Sequence, residues 1–189
     1  GQAGSYYRLT VSNRFGVVPS EAIYLTVVPL EVAVQPASQS AFFGSNATLT
    51  AVTAGKGPFT YQWKRFATNL PGATQSSLTL TNIGMDQAGI YSVEASNSSG
   101  TVTSGNASIA VVPLFVTAQP QSQSVLRWTS ATLGVGAGGA PPVRYQWRLN
   151  GTNLAGATNS TFVIPAMQAG DAGAYTVAIT NDYAGLISS

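Results

Sequence analysis

Cysteine and histidine are both absent from the sequence. Their absence removes disulfides, thiolate nucleophiles, imidazole acid–base catalysis and the common zinc ligands. It also leaves the redox compartment undetermined. Charge is scarce: 7% of residues are Asp, Glu, Lys or Arg, against roughly 25% in ordinary soluble domains. The six acids are Glu21, Glu31, Asp86, Glu94, Asp171 and Asp182. None has the spacing of a carboxylate pair or a calcium loop. Asp86 and Asp171 lie in turns, where the side chain is expected to bond its own backbone amides. The eight Lys and Arg are scattered, so no basic run points to nucleic acid or an anionic membrane. No apolar run approaches the roughly 18 residues of a membrane span, so no membrane insertion is expected in this segment. The opening Gly1-Gln2-Ala3-Gly4 has neither an initiator Met nor signal-peptide architecture, which places any secretion signal on another part of the gene. The Gly-rich stretches Ala54-Gly55-Lys56-Gly57 and Gly136-Ala137-Gly138-Gly139 lack phosphate-loop spacing. No catalytic residue, cofactor or metal site is expected, and the segment does not read as an enzyme.

What is present is a repeat. Apolar residues make up 44% of the chain, enough for a packed core. Sliding the sequence by 84 residues aligns two long segments without a gap. Gln35-Pro36, Ala47-Thr48-Leu49, Tyr61-Gln62-Trp63, Gly72-Ala73-Thr74 and Tyr91 fall on Gln119-Pro120, Ala131-Thr132-Leu133, Tyr145-Gln146-Trp147, Gly156-Ala157-Thr158 and Tyr175. The same offset carries Tyr7 and Asn13 onto Tyr91 and Asn97, so residues 1–29 read as the tail of an earlier copy. Ala3–Tyr7 holds one residue more than Ala88–Tyr91, which predicts a bulge or altered turn there.

Within a copy, short alternating runs bounded by Gly, Pro, Asn and Ser predict strands near 31–35 and 38–43 (A and A′), 46–54 (B), 59–65 (C), 77–81 (E), 90–96 (F) and 101–112 (G). About seven short strands per copy predict an all-β fold, a Greek-key sandwich repeated in tandem. The expected division is 1–29 as the F–G strands of a preceding repeat, 30–113 as a complete domain, and 114–189 as a domain lacking most of strand G. The repeat length extends that last copy to about residue 197.

The order Ala47–Ala51, Tyr61-Gln62-Trp63 and Asp86–Val93 resembles immunoglobulin-like domains, with Ala51 and Val93 at the two cysteine positions. Val135, Trp147, Tyr175 and Val177 stand in the same places in the next copy. With the Gln-Pro start and the Gly-Ala-Thr before strand E, the pattern is similar to cysteine-free immunoglobulin-like tandem repeats of large secreted or cell-surface bacterial proteins. The resemblance implies a structural core of Trp63, Trp147, Tyr91, Tyr175, Ala51, Val93, Val135 and Val177. It also implies an extracellular or cell-surface location.

Candidate binding positions are where the copies differ. Trp128 replaces Gly44, Tyr183 replaces Ser99, and Phe42-Phe43 becomes Leu126-Arg127. Such exposed aromatics can stack on a glycan or a partner protein, or pack against an adjacent domain. Five Asn-X-Ser/Thr sequons, at Asn46, Asn97, Asn106, Asn150 and Asn159, match the glycosylation pattern. The junctions Val27–Val32 and Val111–Val116 contain Pro but no Gly or Ser, which predicts stiff connections and a rod whose repeats contact chiefly their neighbours. The incomplete outer copies fit either a window of a longer repeat protein or strand exchange between subunits in a filament. Two functional readings stand: a structural or adhesive segment of a surface fibre, with self-association, or an accessory carbohydrate- or partner-binding region of a secreted multidomain enzyme.

Overall fold

A computed structural model describes residues 4–189, and apart from two 3-10 turns at Met85–Gln87 and Ala169–Asp171 its regular elements are all strands. Alternation decides which face each strand buries. Ala47–Thr50, Ala131–Gly134 and Ala107–Val112 each bury every second residue, as a half-buried strand must.

The first full copy contains a sheet ordered Thr68–Asn69, Thr60–Arg65, Gly89–Asn97, Ala107–Val112 and Gln39–Phe42, with Gly100–Thr103 also on Gly89–Asn97. Gln39–Phe42 runs parallel to Ala107–Val112. Two further ladders pair Glu31–Val34 with Val52–Ala54, and Ala47–Thr50 with Ser77–Leu80. The second copy repeats this plan without a strand at the place of Gln39–Phe42. Thr152–Asn153, Arg144–Leu149, Tyr175–Thr180 and Gly185–Ile187 form one sheet, while Ala131–Gly134 pairs Thr161–Ile164 and Leu114–Ala118 pairs Gly136–Gly139. Its core gathers Leu114, Leu133, Val135, Trp147, Ala157, Val177 and Ile179.

Two compact units divide the described chain. One joins 4–37, 49–78 and 91–107; the other joins 38–48, 79–90 and 108–189. Strand Gly89–Asn97 runs from one into the other.

Several elements differ from expectation. Strand B is interrupted at Ala51, whose N–H donates to the Ser76 carbonyl at 3.0 Å beside the ladder to Ser77–Leu80, before Val52–Ala54 pairs with Glu31–Val34 instead. Strand G is interrupted at Ser104, whose hydroxyl accepts the Val93 N–H at 2.9 Å. Gly4–Tyr7 pairs one-to-one with Ile23–Thr26, so no bulge falls within residues 4–7; the other part of that expectation, at Ala3, lies outside the described residues. Thr10–Asn13 pairs Gly16–Pro19, which completes a hairpin of the F–G kind.

Candidate functional site: the turn tips and the repeat junction

Trp63 and Trp147 are fully buried. Each indole N–H donates to a backbone carbonyl twelve residues on, Gln75 and Asn159, at 2.9 Å in both copies. The preceding glutamine explains the rest of the Tyr-Gln-Trp motif. The Nε2 of Gln62 donates to the carbonyls of Trp63 and Leu70, and that of Gln146 to Trp147 and Leu154, all within 2.9 Å. Trp63 and Val93 are register partners, as are Trp147 and Val177. Ala51, Val135, Tyr91, Val93 and Val177 are also buried, while Tyr175 is half-buried. Small side chains fill the places where related sandwiches carry sulfur.

The Tyr175 hydroxyl donates to the Asp171 carbonyl at 2.7 Å. Burial, reinforced by the nearby Asp171 charge, raises its pKa above the ordinary phenol value. The Asp171 carboxylate accepts the Gln168 N–H at 2.9 Å. In the first copy the corresponding acceptor is the Gln87 side chain, on the Gly84 N–H at 2.9 Å. Asp86 is therefore one position out of step with Asp171. A cavity of about 500 Å³ lies beside this turn, with Val125, Leu133, Ile164 and Met167 on its walls and Asp171 as its acidic residue. One carboxylate already bonded to a backbone amide does not make an acid–base pair. Among the described residues no group of three potential metal ligands comes together, and no helix is long and apolar enough to cross a membrane.

Two recurrent polar devices went unnoticed in the sequence. The N–H groups of Leu9, Val93 and Val177 donate to the hydroxyls of Ser20, Ser104 and Ser188, and each serine N–H returns to the carbonyl of the same residue. In the F–G turns, the side chains of Asn13, Asn97 and Asn181 accept the N–H two residues ahead. The 84-residue period was the signal that links both sets.

The four binding candidates occupy three different places. Trp128 is 60% exposed at the tip of the A′–B turn, with the Arg127 guanidinium 4.7 Å from its ring. Its φ of +70° is an uncommon left-handed conformation for a bulky residue, and its N–H donates to the Met167 carbonyl at 2.9 Å. Tyr183 is exposed at the F–G tip, presented by Asn181. Phe43 is half-buried, and its N–H donates to Val112 at 3.0 Å. Phe42 is 51% exposed yet its ring centre lies 4.4 Å from that of Phe115.

The family model described as immunoglobulin domain matches residues 31–97 and 115–181. The chain belongs to the immunoglobulin domain family. The curated relatives it matches include the cell adhesion molecule DSCAML1 of Gallus gallus, 26% identical over 87% of this chain and 9% of that protein. Leucine-rich repeats and immunoglobulin-like domains protein 3 of Mus musculus is 26% identical over 93% of this chain and 17% of its own length. The chain thus spans less than a fifth of these relatives. A crystal structure of consecutive titin domains matches with a TM-score of 0.54 at 19% identity, covering 85% of this chain and 63% of that one. These findings support two tandem immunoglobulin-like domains and a general likeness to adhesion proteins. The named relatives are animal proteins, so they lend no support to a bacterial lineage.

Proposed function

We propose that this chain is a structural or adhesive immunoglobulin repeat segment of an extracellular or cell-surface protein, acting as a stiff spacer and not as a catalyst. The observation that carries the reading is the junction. Strand Ala107–Val112 ends and strand Leu114–Ala118 begins with Pro113 alone between them. The Pro113 carbonyl accepts the Ala140 N–H at 2.8 Å and the Asn181 Nδ2 at 2.7 Å. A fixed proline φ with a bonded carbonyl supports a connection of little freedom. The boundaries 1–29, 30–113 and 114–189 are part of this proposal, with neighbouring repeats, other copies of the protein, or glycans as partners. Small-angle scattering tests the spacer: an elongated distance distribution is expected, and a compact particle overturns it. Bead aggregation on protein-coated surfaces tests self-adhesion.

The second reading, an accessory carbohydrate- or partner-binding region of a secreted enzyme, draws support from Trp128. A residue kept at positive φ with its ring toward water is suited to contact something outside the fold. Polysaccharide retention that vanishes in Trp128→Ala would favour it.

A further inference from the structure

We propose that Phe42, Phe115 and Gly138 form a clasp specific to the Pro113 junction, in which the A strand of one repeat locks onto an aromatic side chain on the A′ strand of the repeat before it. The inference rests on the spacer reading and names the side chains that decide which junctions are stiff.

Phe115 is the register partner of Gly138. A Cβ at Gly138 would stand 2.5 Å from the Phe115 Cζ and 2.7 Å from its Cε2, so the ring occupies the space that only glycine leaves. Phe42 meets the same ring at a 4.4 Å centroid distance and a 43° tilt. Aromatic pairs in this range contribute beyond their area burial. The next residues bind the connecting backbone: the Asn181 Nδ2 donates to the carbonyls of both Pro113 and Ala140. A Cβ at Gly139, where φ is +151°, would fall 2.3 Å from the Pro113 oxygen. Strand Gly136–Gly139 is thus shaped to receive Pro113, Leu114 and Phe115.

The earlier junction carries a different pair. Glu31 takes the place of Phe115 and is exposed, and its register partner is Ala54 where the later copy has Gly138. The aromatic and the glycine that makes room for it change together between the two copies. That joint change is what a packing site requires and what backbone geometry alone does not. The partner recognised by this surface is therefore another immunoglobulin repeat with an aromatic or aliphatic residue at the Phe42 position.

The absence of cysteine makes site-directed spin labelling unambiguous. Labels at Ser77→Cys and Thr161→Cys, equivalent exposed positions of the two repeats, report the distance distribution between the domains in the full chain. The expected result is a narrow distribution in the parent that broadens by about twofold, as for domains free to move, in Phe42→Ala, Phe115→Glu and Gly138→Ala. Phe42→Leu should retain most of the narrow component. Phe42 is half exposed, so Phe42→Ala should leave the thermal unfolding of each domain in place and isolate the junction. A broad parent distribution, or equal widths in parent and variants, overturns the clasp. Failure of the spacer reading would appear separately, as compact scattering with a narrow spin-label distribution.

Discussion

Each buried indole is held by packing and by one hydrogen bond that repeats to within the same 2.9 Å. Removing either ring leaves a large cavity and an unpaired carbonyl. Trp63→Ala or Trp147→Ala should cost about 3–5 kcal/mol, read as loss of one domain's unfolding transition in calorimetry. Ser104 is a subtler case: it is buried, and its hydroxyl serves the Val93 N–H and the Gly105 carbonyl. Ser104→Ala should cost about 1–3 kcal/mol, because a buried donor is left unsatisfied; urea titration gives the difference. Tyr175 adds a pH dependence. Its folded pKa is raised, so the neutral phenol is favoured in the folded state. Its contribution is present below the ordinary phenol value of 10.0 and is lost as pH rises through the folded pKa. Comparing Tyr175→Phe with the parent in alkaline melts checks this: the parent should lose more stability above that value.

At the scale of the element, Trp128 costs the A′–B turn what Gly44 does not. Both positions have positive φ, +70° and +81°, and only glycine adopts that region freely. Trp128→Gly should therefore raise stability by about 1 kcal/mol, seen as a higher melting temperature. The strands and the fold class were largely legible, because alternating apolar residues mark the strand type and the 84-residue period marks the repeat; which strands pair was not. The breaks in strands B and G were not legible. They arise where strand B changes partner at Ala51, from Ser77–Leu80 to Glu31–Val34, and where a side-chain hydroxyl replaces a ladder bond at Ser104, and apolar alternation carries no trace of either. The turn before strand F holds a further difference: the side chain that accepts the N–H three residues before it is Gln87 in one copy and Asp171 in the other, so the two aspartates stand one position out of step. The contact of Phe42 with Phe115 joins residues 73 apart in the chain. Sequence reading marked Phe42 as a place where copies differ; it had no means of naming the ring it meets.

At the scale of the whole molecule, the family assignment explains the sandwiches and says nothing of what the positions that vary between copies contact. The F–G turns show how variation is accommodated. Asn13, Asn97 and Asn181 hold the same backbone turn, while the residue each presents is Phe15, Ser99 or Tyr183. The three tryptophans also divide cleanly, two enclosed and one 60% exposed. Acrylamide should accordingly quench the emission of Trp128 alone in the native protein, leaving two shielded fluorophores, one per sandwich. The fold thus supplies its own optical gauge, in which the accessible indole reports the surroundings of its turn and the enclosed pair report the integrity of each bead.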